Sequence, residues 1–125
     1  MPDILVFVPY PAMRQALALA LQQAGWQVAL AHTDGEALKA LEQNPYNALV
    51  LDMDSPTGES WRILQGLQVS HKTIPVVALF GPESYRGPEA QSLGAHVILP
   101  KPVSKQALMT GLNAALQVHS GQSSS

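Results

Sequence analysis

Five short apolar runs, each closed by glycine, proline or a polar residue and each followed by a stretch with helical spacing, constrain this chain more than any other feature. The runs are Ile4–Val8, Trp26–Ala31, Ala48–Leu51, Ile74–Phe80 and Ala95–Leu99. Ala48–Leu51 shows no polar alternation, which is how a strand reads when both faces of a parallel sheet are covered. Pro75 is tolerated at the entry of the fourth run. Between the runs, Met13, Leu17, Ala20, Leu21 and Ala24 recur at helical spacing after Pro11, and Gly25 supplies a stop. Thr33 or Asp34 can cap a second helix through Ala37, Leu38 and Leu41, ended by Asn44-Pro45. A third helix begins near Glu59 and carries Trp61, Leu64 and Leu67. The breaker-rich segment from Gly81 to Pro88 confines the fourth to a short piece ending at Leu93. Ser104 can cap a fifth, with Leu108, Leu112 and Leu116 on one face.

Strands alternating with helices predict an α/β fold: a flavodoxin-like, doubly wound, five-stranded parallel sheet in the order 2-1-3-4-5 with five helices. One domain should occupy residues 1–119, and the Gly/Ser/Gln stretch 120–125 reads as a flexible tail or the start of a linker. Ligands of such sheets bind beyond the carboxyl ends of the strands. The central run ends there in Asp52 and Asp54, with Pro56 and Gly58 opening a loop. An acid in that place is a site candidate. A polar residue that merely terminates a strand would read the same way. The strand order is expected to bring Val8, Pro9 and Asp52 to one crevice, joined by Phe80 and Lys101.

Composition narrows the function classes. A net charge of −2 with no basic run argues against nucleic-acid binding. The absence of cysteine excludes disulfides, thiol catalysis and thiolate metal sites. His32, His71, His96 and His119 lack any paired ligand spacing. Hydrophobic residues make up 46% and charged ones 13%, which suits a folded core rather than a disordered segment. No apolar run is long enough to cross a bilayer and no leader pattern opens the chain, so a cytoplasmic, soluble protein is expected. Trp26 and Trp61 read as packing residues, and Arg14, Arg62, Arg86 and Lys105 as solvated ones.

Taken together, the pieces Ile4–Val8, Pro11–Arg14, Thr33–Leu38, Leu49–Asp54 with Pro56, Ile74–Leu79, and Gly94-Ala95 followed by Lys101-Pro102-Val103 stand in a telling order and spacing. The chain resembles the receiver domain of two-component response regulators up to about residue 117. The resemblance implies that Asp52 occupies the phosphoacceptor position and Lys101 the phosphoryl-contact position. It also implies a Mg²⁺ held by an acidic pair ending the first strand, by the acceptor, and by a backbone carbonyl two residues later. A hydroxyl ending the fourth strand and an aromatic on the fifth complete the family's switch.

Here the sequence departs from that pattern. Val8 and Pro9 replace the acidic pair, Phe80 the hydroxyl and Ile98 the aromatic. Asp54 is the one further acid that could partly restore a metal site. With so few oxygen ligands Mg²⁺, which dehydrates reluctantly, should bind weakly, so no cofactor is expected unless the atypical site works. Asp52 and Lys101 are then expected to pair with each other. The reading that follows is a degenerate receiver, or pseudo-receiver: not an enzyme, acting through contact with a histidine kinase, an output domain or another signalling protein, with homodimerisation open. Two alternatives stand beside it. One is a working receiver phosphorylated on Asp52 by a histidine kinase. The other is a haloacid-dehalogenase-like phosphatase using Asp52 and Asp54, disfavoured because no later acidic pair follows and two βα units come first.

Overall fold

The computed structural model describes residues 3–82 and 86–123, with side chains to 118. Its ten elements alternate without exception: β1 (Asp3–Phe7), α1 (Pro11–Gln23), β2 (Gln27–Ala31), α2 (Asp34–Gln43), β3 (Ala48–Asp52), α3 (Glu59–Val69), β4 (Val76–Phe80), α4 (Gly87–Ser92), β5 (Val97–Pro100) and α5 (Lys105–Ser123). The strands form one parallel sheet in the order β2-β1-β3-β4-β5, as the alternation predicts. β3 is central and buried at all five positions, flanked by β1 and β4. Among the described residues, no helix is long and apolar enough to cross a membrane.

Side chains alternate across the sheet and build two cores. On one face Leu5, Phe7, Leu49, Leu51, Ala78 and Phe80 meet α2 and α3 through Leu41, Trp61 and Leu64. On the other, Ile4, Val6, Val50 and Leu79 meet α1 and α5 through Leu17, Leu21, Leu108 and Leu112. The second face admits one close approach: a Cβ on Gly111 of α5 would lie 2.8 Å from the Leu99 side chain.

Element ends differ from the sequence reading where backbone groups have other partners. Trp26 donates its N–H to the Leu21 carbonyl at 3.0 Å, closing α1, so β2 starts only at Gln27. Ala95 likewise closes α4 on the Ala90 carbonyl, and β5 runs Val97–Pro100 rather than Ala95–Leu99. Pro75 has no N–H to give, and β4 begins after it at Val76. Thr33, not Asp34, caps α2, accepting the Glu36 N–H on its hydroxyl. Ser104 accepts from Ala107 at the head of α5, as expected. That helix continues to Ser123, past the point where the tail was placed, because extending a formed helix is far cheaper than nucleating one. The tail's last two residues and positions 83–85 of the breaker-rich loop lie outside the described residues.

Candidate functional site

Four loops, those after β1, β3, β4 and β5, meet at the carboxyl end of β3. Asp52, the last residue of that strand, is fully buried. Lys101 arrives from the end of β5, held by its own N–H to the Phe80 carbonyl at 2.7 Å and followed by a cis peptide bond to Pro102. Its ammonium lies 2.9 and 3.1 Å from the two carboxylate oxygens of Asp52 and 2.8 Å from Oδ2 of Asp54. An ammonium has three N–H donors, and here each has an oxygen in reach. Burial pulls against the charged form of Lys101, but the hydrogen bonds to Asp54 and Asp52 outweigh it and hold the pKa above the usual lysine value.

The acids are fixed from the backbone side too. Asp52 Oδ1 accepts the Asp54 N–H at 2.9 Å, and Asp54 Oδ2 accepts the Gly81 N–H at 2.5 Å. Gly81 suits that contact because a Cβ there would sit 3.0 Å from the same oxygen. The buried Ser60 hydroxyl donates to the Asp52 carbonyl and tethers α3 to the end of β3. Tyr10, which follows Pro9 at the exit of β1, donates its hydroxyl to the Asp54 carbonyl at 3.0 Å. This is the carbonyl two residues after Asp52, the one to which the resemblance gives a metal-ligand role. The Tyr10 ring also lies 5.3 Å from the Lys101 ammonium, within cation–π range.

The structure brings Asp52, Lys101 and Asp54 into one cluster, but the wider crevice has different walls from those expected. Val8 is fully buried among the apolar residues of the α1/α5 face, and only its carbonyl is used, accepting from Arg14 at 3.2 Å. Pro9 is partly buried and contributes no side-chain oxygen or nitrogen. Phe80 shares a face with Val76 and Ala78 and joins the opposite core, where it meets Trp61 edge-on at 6.2 Å between ring centroids. Ile98 packs against that same core. Strand alternation dictates this outcome: every second residue of β4 faces α3, and Phe80 follows Ala78. The open hollow is lined instead by Tyr10, Met13, Leu17, Val103, Asp54 and Lys101, among others.

Other contacts escaped the sequence reading. Asp54, a candidate from the sequence, also serves as a joint between the β3–α3 and β4–α4 loops. Arg86 is exposed yet lies 3.8 Å over the Trp61 ring while pairing with Glu89 through two 2.9 Å hydrogen bonds. Phe80, Trp61 and Arg86 thus form a stack that fastens the start of α4 to α3. A phenol at the exit of the first strand was the available signal for Tyr10. Nothing in the local sequence pointed to Arg86.

The sequence profile of the response regulator receiver domain matches residues 4–113. The response regulator MprA of Mycobacterium ulcerans is 30% identical over 115 residues, covering 91% of this chain and 50% of that protein. MprA of Mycobacterium avium matches to the same extent. The chain therefore spans about half the length of the curated relatives it matches. Among solved structures, a response regulator receiver domain protein from Clostridium thermocellum superposes with a TM-score of 0.81 at 26% identity, covering 94% of this chain and 96% of that one. The receiver domain of the Francisella response regulator 1452 gives 0.83 at 24% identity over 94% and 98%, a likeness of fold.

Proposed function

Because the chain belongs to the response regulator receiver family, the signalling modules of two-component systems, we propose that it is a pseudo-receiver, acting through protein contact without the family's Mg²⁺-dependent phosphorylation. The observation that carries this reading is the Lys101 ammonium lodged between Asp52 and Asp54, at 2.9 and 2.8 Å. With Val8 and Pro9 in place of an acidic pair, Lys101 is the cation these two acids hold among the described residues. The residues present do not suit Mg²⁺. That ion asks for near-octahedral oxygen ligation and keeps several waters. Here Val8 and Pro9 offer no side-chain oxygen, both acids are engaged by Lys101, and the Asp54 carbonyl accepts from Tyr10.

Phosphoryl transfer depends on positioning and on neutralising the transferred group's charge. An attack by Asp52 would require its buried carboxylate to leave Lys101 and the Asp54 N–H, and among the described residues Lys101 is the cation paired with it. Output is constrained in the same sense. A modification shifts an equilibrium only through contacts that differ between two states. Phe80 packs in the core against Trp61, and Arg86 lies over the same ring, so position 80 offers no hydroxyl to drive a movement of this kind.

The partner on this reading is a protein: a histidine kinase, an output domain or another signalling protein, or a second copy in a homodimer. The competing reading, a receiver phosphorylated on Asp52, draws on the fact that the acceptor and lysine positions are both filled and touching. Amide NMR separates the two. Addition of Mg²⁺ and then beryllofluoride, a mimic of the aspartyl-phosphate, is expected to leave the resonances of Asp52, Gly81 and Lys101 unmoved. Saturable shifts centred there and spreading along β5 would establish a working acceptor and overturn the pseudo-receiver.

A further inference from the structure

Beside the Asp52–Lys101–Asp54 cluster lies a hollow of about 670 Å³, within the range of small-molecule sites. Its wall is largely apolar: Met13 and Leu17 of α1 face Val103 from the loop before α5, and Tyr10 stands half exposed beside them. Among the described residues, Asp54 and Lys101 are the charged side chains in its lining. Arg14, the one cation of α1, is turned to the Val8 carbonyl and is not part of the wall.

The charges at the hollow are unequal. Lys101 has its three donors directed at Asp52 and Asp54, so it has none left for an incoming anion. Both contacts of the Asp54 side chain fall on Oδ2, leaving Oδ1 without a partner among the described residues. Two carboxylates against one ammonium give the cluster a net charge of −1. We propose that this hollow is a binding site for a small organic cation, its apolar body against Met13, Leu17 and Val103 and its ammonium donating to Asp54. Such a ligand would act beside the acceptor position, at the Asp54 side chain, by occupancy rather than by covalent change. Because it rests on Asp54 and the α1 wall, the proposal stands or falls independently of whether Asp52 accepts a phosphoryl group.

The test is an amide NMR titration of the full chain with 2-phenylethylamine, and in parallel with phenylacetate, which carries the same ring and the opposite charge. The amine is expected to give saturable shifts confined to Tyr10–Leu17, Asp54, Gly81 and Val103, with phenylacetate giving none. Asp54→Asn should weaken the amine at least about tenfold, the loss of one charge-assisted hydrogen bond. Since Asp54 also braces Gly81, Ala16→Phe is the second variant: Ala16 lines the hollow from an exposed helical position, so filling it should abolish binding while the remaining spectrum stays folded. Equal binding of phenylacetate, no saturable shift with either probe, or undiminished binding by Ala16→Phe would each overturn the proposal.

Discussion

Lys101 and Arg62 each hold a carboxylate at 2.9 Å, one at the end of the central strand and the other on the outer surface between α2 and α3. Beside Lys101, Asp52 is 0% exposed and the lysine 15%; beside Arg62, Asp34 is 28% exposed and the arginine 50%. Distance alone would rank the contacts as equals. Their surroundings do not. A surface pair is screened by water and contributes little, whereas a buried one cannot lose a partner without stranding a charge in a medium that will not solvate it. The outer pair therefore decorates a helix–helix seam, while the inner one is a condition of the fold at the place where a receiver keeps its chemistry.

Substitution of Lys101 by Met should break this contrast most visibly. It leaves Asp52 buried without its cation, and a loss of about 3–5 kcal/mol is expected in chemical denaturation. Adding Asp52→Asn to Lys101→Met should recover much of that loss, because the stranded charge is gone. An unchanged midpoint for the single variant would place the two pairs on the same footing.

The pH dependence should follow the same division. Lys101 titrates above its ordinary 10.5 in the folded chain, so its contribution is complete below 10.5 and is lost as pH rises through the raised value. Stability on that alkaline limb should fall by at most one proton's worth, about 1.4 kcal/mol per pH unit. Lys101→Met should flatten it. At the other pair, the hydrogen bond from Arg62 holds the Asp34 carboxyl below its ordinary 3.8, against a smaller opposing effect of burial. Its contribution is present above 3.8 and is lost as pH falls through the lowered value, a much weaker acid limb given its exposure.

Tyr10→Phe sharpens the comparison from inside the cluster. It removes the hydroxyl from the Asp54 carbonyl and keeps the ring, and should cost about 1 kcal/mol in the same denaturation experiment. The smallest effect belongs to Arg62→Ala, expected to leave the urea midpoint within the scatter of repeat measurements. A clear destabilisation there would show that the seam between α2 and α3 relies on its ion pair.

The fold was legible because its determinants are local and repeated. Apolar runs alternating with helical stripes dictate both element type and order, and caps such as Thr33 and Ser104 are written next to the helices they start. The Asp52–Lys101 contact was legible for a related reason, since Asp52 ends β3 and Lys101 follows β5 at the same edge of one sheet. What escaped was whatever depends on distant loops. The Tyr10 hydroxyl finds a carbonyl 44 residues away, and Asp54 an amide 27 residues away, so neither partnership leaves a mark in its own neighbourhood. Phe80 is the instructive case between these. Its inward direction could have been counted from the alternation of Val76 and Ala78, but the residue was weighed by what it lacks, a hydroxyl, rather than by where its ring must go.

The phenol at position 10 also bears on what substitution at this edge could achieve. Acids restored at positions 8 and 9 would not by themselves return this edge to ordinary receiver chemistry. A carboxylate at 8 would enter an apolar cluster with no water to receive it, and the carbonyl of residue 54 would still be answering to Tyr10. The apolar packing of Val8 and the Tyr10 hydrogen bond would have to change together before acids at this edge could share a cation with Asp52.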